Sequence, residues 1–283
     1  MSFRDDLLDA AYKAGGSTKT IDARQQTAEA FTAYCKENNI QTRNPEDLKA
    51  KHVGGFIDSQ KSAGISDRTL QNRMSHMRKA LESAGNTNRM PSNAQLGISG
   101  ASREGARTAM TAETYQAARE ALLERGAAAS AACLALQREL GLRSGEAIMA
   151  TRSLATWERQ LARGTATVQV LHGTKGGRTR DAHPTDHTRA LAAVREARAA
   201  VEGAKLMRGS SLEAARSAYQ RDCRSVGLEG AQSPHSARYA YAQERFHIYV
   251  SQGFDAREAK SAVSMDLGHG SGRDRWVEHV YMH

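Results

Sequence analysis

Nowhere in its 283 residues does the chain hold a run of about 18 apolar residues, so no segment reads as a membrane-spanning helix. The amino-terminal MSFRDDLLDAAYKAGG lacks the apolar stretch that a secretory signal needs. Cysteine is scarce: Cys35, Cys133 and Cys223 are odd in number, far apart and never paired as CxxC. That pattern suits a reducing cytoplasm and speaks against both a disulfide framework and a structural zinc site. Aromatic residues make up only 5% of a chain that is 40% hydrophobic. A core built on alanine and leucine favours helices packed through small side chains over a β-sandwich.

Positive charge, by contrast, is abundant. The 40 lysines and arginines outnumber the 31 acidic residues, a formal net charge of +9. A surplus of this sign attracts phosphate polyanions, which makes nucleic acid the leading class of partner. Charge by itself does not separate such a protein from one that is merely basic.

The first part of the chain reads as a bundle of short helices. Ile21, Ala28, Phe31 and Cys35 fall on one helical face. Asn44-Pro45-Glu46-Asp47 has the makings of a helix start, with Val53, Phe56 and Ile57 as the apolar face of that helix. From Ser66 the stripe Leu70, Met74, Met77, Leu81 predicts a helix that stops at Gly85. Off that stripe the same helix shows Arg68, Arg73, Arg78 and Lys79, either a solvated face or a track along a phosphate backbone. Between Asn86 and Ala109 periodicity is lost in a stretch rich in Gly, Ser, Asn and Pro, which predicts a linker. Helices resume at Thr111. From Trp157 to His183 the pattern changes to a predicted hairpin, with TATVQVLHG as one strand, TKGGR as the turn and RTRDAH as the return. Helix starts then recur near Asp186, Ser210, Ser233, Asp255 and Arg273. The expected fold is mainly α with a small β-sheet: a helical domain over 1–90, a linker over 91–108 and an α+β domain over 109–283.

Four segments of the second domain carry the chemistry. Arg143 and Glu146 sit three apart at a helix start, where the carboxylate can hold the guanidinium rigid toward a phosphate. Lys175 lies on the hairpin turn, from which an ammonium can reach into a groove; GTKGGR lacks the GK[ST] and following helix of a nucleotide-binding loop. In Ser233-Pro234-His235-Ser236-Ala237-Arg238 the serine is expected to cap a helix, with His235 and Arg238 on one face at its positive end. Leu267-Gly268-His269 follows, with Tyr281 twelve residues after the histidine. Taken singly, each segment has an ordinary structural explanation; their order is what is specific.

Arg-x-x-Glu, a hairpin lysine, His-x-x-Arg, Leu-Gly-His and a terminal tyrosine, in that sequence, resemble the tyrosine recombinases of the phage-integrase family. The resemblance runs from about Thr111 to the end, and the helical first domain is similar to that family's core-binding domain. It implies site-specific recombination or integration of double-stranded DNA through a 3′-phosphotyrosine, without ATP, metal or other cofactor. It also implies a homo-oligomer, commonly a tetramer, on a defined recombination site, sometimes with accessory DNA-bending proteins. On this reading Tyr281 is the nucleophile, His235 its base, and Lys175 the acid that protonates the leaving 5′ oxygen. Arg143, Arg238 and His269 hold the non-bridging oxygens, and Glu146 orients Arg143 or His235. The chemistry demands such convergence: phosphodiester transfer needs a barrier reduction on the order of 20 kcal/mol, and one well-placed donor supplies roughly 3–4.

Two features depart from the family pattern. The interval from His269 to Tyr281 is longer than usual, and GSGRDR is expected to loop out and absorb the difference. Only two residues follow Tyr281, so the trailing helix with which many relatives dock onto a neighbouring protomer is not expected here. Two other activities fit the same residues: type IB topoisomerase-like relaxation, and DNA binding as a non-catalytic accessory factor. The pairs His183/His187 and His279/His283 lack a third metal ligand and read as packing or solvated residues. Trp276 reads as a core anchor, and Tyr239, Tyr241 and Tyr249 as core residues of the helix begun at Ser233.

Overall fold

Local capping starts the first two helices. Ser2 caps α1 (Phe3–Lys13): its hydroxyl accepts from the Asp5 amide while the Asp5 carboxylate accepts from the Ser2 amide. Ser17 caps α2 (Thr18–Glu37) in the same way through the Thr20 amide. The computed structural model describes residues 2–100 and 108–282, and of Lys175 the backbone alone. Two units divide the chain, Met1–Ser102 and Arg103–His283.

With α3 (Ala50–Ser62) and α4 (Asp67–Ser83), the first unit closes around Leu7, Phe31, Phe56, Leu70, Met74 and Met77, all buried. Phe31 and Phe56 meet edge to face at 5.4 Å. The expected helix from Pro45 is corrected: Pro45–Asp47 forms a single 3-10 turn, and the α-helix begins afresh at Ala50. The cause lies at Leu48, which is extended and fully buried, its carbonyl accepting from the side-chain amides of Asn86 and Asn88 at 3.0 and 3.1 Å. Part of the aperiodic stretch after Asn86 packs here too, because Met90, Leu96 and Ile98 lie against this core. Residues 101–107, the rest of the expected linker before Thr108, lie outside the described residues.

The second unit is organised on α6 (Ala128–Leu140), which follows α5 (Ala112–Glu124) and is buried along most of its length. Its alanines let neighbouring helices approach closely. Gly141 ends it in the left-handed region at φ 58°, where a Cβ would stand 2.4 Å from the Tyr241 ring, so no other residue fits. The five-residue α7 (Ser144–Ile148) and then α8 (Thr151–Ala162) follow. Here the sequence reading is corrected again, since helix persists five residues beyond Trp157. Leu154, Trp157 and Leu161 are buried at helical spacing, and the indole donates to the Gln169 carbonyl at 2.9 Å.

Strands β1 (Val168–Val170) and β2 (Arg180–Ala182) pair antiparallel, Val168 opposite Ala182 and Val170 opposite Arg180. The hairpin is therefore where the sequence placed it, with a 3-10 turn at Lys175–Gly177. Helices α9 (His187–Ala199) and α10 (Leu212–Ser225) are capped by Asp186 and Ser211. Helices α11 (Ser236–Ser251), α12 (Ala256–Asp266) and α13 (Asp274–Tyr281) complete the unit. No described helix is long and apolar enough to cross a membrane.

Candidate active site

The αL turn at Gly141 delivers Arg143 to the start of α7, where Glu146 reaches back to it. The Glu146 carboxylate accepts from the Arg143 amide at 2.8 Å and from its Nη1 at 2.6 Å. Arg143 Nη2 donates to the Leu267 carbonyl at 3.1 Å, so the first segment is bonded to the backbone two residues before His269. Arg238, fully buried on α11, donates to the same Leu267 carbonyl at 2.5 Å and to the carbonyl of Gly141. Arg143, Glu146, Arg238 and Leu267 thus form one contact set from residues 124 positions apart in sequence.

His269 stands across from the nucleophile candidate: its Nε2 is 3.4 Å from Tyr281 Oη. Tyr281, the last residue of α13, is 2% exposed and lies among the rings of Tyr239 (4.5 Å), Trp276 (5.6 Å) and His269 (6.2 Å). The Gln243 amide fixes the Tyr281 carbonyl at 2.9 Å. Trp276 meets the His269 ring edge on at 4.2 Å. Residues 267–273 connect α12 to α13, so of the expected GSGRDR loop Asp274 and Arg275 are already helical.

His235 is found one ring away from Tyr281, edge on to Tyr239 at 5.7 Å. The expected cap at Ser233 is corrected: Ser233-Pro234-His235 makes a turn in which the Ser233 carbonyl accepts from the Ser236 amide at 2.8 Å, and α11 starts only at Ser236. The Ser233 hydroxyl, buried and without a hydrogen bond, caps nothing. Lys175 sits at the start of the hairpin's 3-10 turn; its side chain lies outside the described residues.

Sequence reasoning missed Arg180. It is buried on β2 and donates to Glu146 at 2.8 Å, to the Gly141 carbonyl at 3.0 Å and to the Asp266 carbonyl. The alternation on β2 held the signal: position 180 shares a face with buried Ala182, so a charged side chain there points inward. Asp266 was missed as well. Its buried carboxylate accepts from Arg245 (3.0 Å) and Tyr249 (3.0 Å) and faces His183 Nδ1 (2.7 Å). His183 is thereby a structural partner of Asp266, and His283 lies outside the described residues. No group of three or more His, Cys, Asp or Glu fit to hold a metal occurs among the described residues.

On the first unit, Arg78 Nη2 is bonded to the Pro91 carbonyl (2.6 Å) and Asn93 Oδ1 (3.0 Å). Lys79 pairs with Glu82 at 2.7 Å on the exposed face, Arg68 reaches Gln71, and Arg73 Nη1 is buried without a hydrogen bond. The Arg78 guanidinium is thus held by the stretch that follows α4.

The electrostatics of the centre are lopsided. Three guanidinium groups, Arg143, Arg180 and Arg238, gather on one carboxylate, Glu146, at 2.6, 2.8 and 3.9 Å, which leaves two positive charges in excess. Burial pushes the Glu146 carboxyl up, but Arg180, Arg238 and Arg143 outweigh it and hold it down at about 2. Burial lowers Arg238, and the charges of Arg180 and Arg143 lower it further. His269 falls to about 3 through burial and then the charges of Arg238, Arg143 and Arg180. It is a neutral imidazole at physiological pH.

That depression has a sign. Below about pH 6.5 the unfolded chain takes up a proton at position 269 that the folded chain refuses until about pH 3, so stability falls as pH drops through this window. His269→Gln is expected to flatten this part of the pH–stability curve relative to wild type. Paired urea titrations between about pH 4 and 7 would read it, and parallel curves for the two proteins would refute a buried neutral imidazole.

Comparison with known proteins gives a consistent pattern. A family model described as Integrase matches residues 97–244, and one described as Phage integrase, N-terminal, matches residues 2–90. No curated protein matches the sequence. Among solved structures, the chain is similar to a lambda integrase tetramer bound to a Holliday junction, at 17% identity and TM-score 0.61, covering 97% of this chain and 75% of that one. It is similar to the Tn1549 transposon integrase in complex with transposon right end DNA, at 13% identity and TM-score 0.63, covering 100% and 95%. The XerH site-specific recombinase on palindromic difH substrate, a post-cleavage complex, matches at 17% identity and TM-score 0.56, covering 90% and 75%. At such identities the likeness to these structures is one of fold.

Proposed function

The chain belongs to the integrase family, the tyrosine recombinases, and from that premise we propose how its residues break and rejoin DNA. It is a site-specific recombinase, an enzyme that transfers DNA strands. The observation that carries the proposal is the excess of two positive charges in a centre buried except at Arg143, beside Tyr281. A phosphodiester brings one negative charge and gains another as the nucleophile adds, so preorganised cations favour the transition state over the ground state.

In the proposed reaction Tyr281 Oη attacks the phosphorus and gives its proton to His235. The bond from phosphorus to the 5′ oxygen breaks, and Lys175 protonates that oxygen. Arg143, Arg238 and the neutral His269 hold the non-bridging oxygens, while Glu146 fixes the Arg143 fork. The 3′-phosphotyrosine conserves the bond energy, and the 5′ hydroxyl of a second strand reverses the step. Nothing in this balance calls for ATP or a metal ion. Residues 1–90 would serve as the core-binding domain, 91–108 as the linker and 109–283 as the catalytic domain, with Arg68, Arg73, Arg78 and Lys79 touching backbone phosphates. A homo-tetramer on a double-stranded recombination site, with DNA-bending accessory proteins, is the proposed working assembly; the lambda integrase tetramer supports that reading by its fold.

The test is direct. The full chain is incubated in EDTA with duplexes from the DNA flanking its own coding sequence, quenched in SDS, and the adduct mapped by mass spectrometry. A covalent complex through Tyr281 at one site is expected. Site-specific binding without any adduct would point instead to a non-catalytic accessory factor, and supercoil relaxation without site preference to a topoisomerase.

A further inference from the structure

Arg180 is almost wholly buried, and its hydrogen bonds join β2 to the Gly141–Glu146 joint and to the end of α12. Its two terminal nitrogens donate to Glu146, to the Gly141 carbonyl and to the Asp266 carbonyl, and its Nε is buried without a hydrogen bond. It shares Glu146 with Arg143 and the Gly141 carbonyl with Arg238. The residue after Asp266, Leu267, supplies the carbonyl on which Arg143 and Arg238 both rest.

Its aliphatic stem has a second role. Gly268, at φ 66°, lies so close that a Cβ there would be 2.5 Å from Arg180 Cδ. The Leu-Gly-His turn therefore closes directly over the arginine, and the glycine of that motif is required partly because Arg180 fills the space beneath it. Arg180 also stands opposite Val170 at the foot of the hairpin, five residues after Lys175. One side chain thus ties together the joint that presents Arg143, the turn that presents His269 and the stem of the hairpin that carries Lys175.

We infer that Arg180 is a positioning residue for strand cleavage, which holds these three segments in register without touching the DNA. The inference rests on the recombinase reading above. A lysine cannot substitute, because a single ammonium on a flexible stem does not span three acceptors that a planar fork reaches together. Small displacements of reacting groups cost large factors in rate, so the loss should appear in the chemical step and not in binding.

The experiment uses the full chain and a synthetic duplex of the site mapped with wild type. Arg180→Gln and Arg180→Lys are each compared with wild type in single-turnover adduct formation at saturating protein, in gel-shift affinity and in thermal unfolding. Adduct formation is expected to fall roughly 100-fold for Gln and at least about 10-fold for Lys, with affinity within about 3-fold. The His269 imidazole, followed by NMR, should titrate higher in the Gln variant, where a neighbouring positive charge is gone. If either variant folds and cleaves within about 3-fold of wild type, the inference is overturned. Should both fail to fold, Gly268→Ala, which pushes on the arginine stem, decides in their place: the same split between cleavage and affinity supports the role, and normal cleavage refutes it. An absent adduct in wild type would instead overturn the recombinase reading itself, so the two failures are distinguishable.

Discussion

Tyr281→Phe is expected to abolish the covalent DNA adduct while leaving DNA affinity within about 2-fold, the largest effect any single-atom change should have on this protein. The substitution removes only Oη, whose contact is the 3.4 Å approach to His269 Nε2. The ring that remains still packs against Tyr239 and Trp276. Stability should therefore change by no more than about 1 kcal/mol, the usual worth of one hydrogen bond. Gel-shift, denaturant unfolding and SDS-resistant complex formation on the mapped site separate these quantities. A surviving adduct would move the nucleophile elsewhere, with Tyr239, whose ring is 4.5 Å away, the first residue to examine.

Glu146→Ala should have the second-largest effect, and on stability as well as activity. The carboxylate is fully buried and is the one acidic partner shared by Arg143, Arg180 and Arg238. Removing it leaves three guanidinium groups against each other in a largely buried centre, a loss of about 3–5 kcal/mol. The pH dependence points the same way. A carboxyl held at about 2, against an ordinary value near 4.5, contributes stability that is fully present above about pH 4.5 and is lost as pH falls through 2. Urea unfolding near neutral pH measures the loss. Sulfate or phosphate should restore part of the variant's stability by occupying the unbalanced centre, since any ligand that binds only the folded state stabilises it. A Glu146→Ala protein as stable as wild type would show that the three arginines do not need their shared carboxylate.

Much of this was readable from residue order and periodicity. The stripe Leu70, Met74, Met77, Leu81 is a buried helix face, and the hairpin around Lys175 lies where alternation and glycine placed it. These are local signals, set by 3.6- and 2-residue repeats. The Arg143–Glu146 pairing was legible for the same reason, since three residues separate its members. What escaped was long-range. Pro45 looks like a helix start until Leu48 is buried and its carbonyl is claimed by Asn86 and Asn88, about forty residues on. In RTRDAH, Arg180 looks like surface charge; only partners 34, 39 and 86 residues distant make it a central residue. The same holds for Asp266, which lies beside a recognisable motif but serves Arg245 and Tyr249 behind it.

The shared Leu267 carbonyl divides the stretch from α12 to α13 into two regimes. Up to Leu267 the backbone is itself part of the arginine lattice, so a one-residue insertion there would withdraw an acceptor from Arg143 and Arg238 together. Past Gly268 the loop to Asp274 holds the His269 ring near Tyr281 but supplies no acceptor to those arginines among the described contacts. Length can therefore vary in the second regime and not in the first. The interval between His269 and Tyr281 falls in the permissive one, so its length can change while the cation frame stays intact.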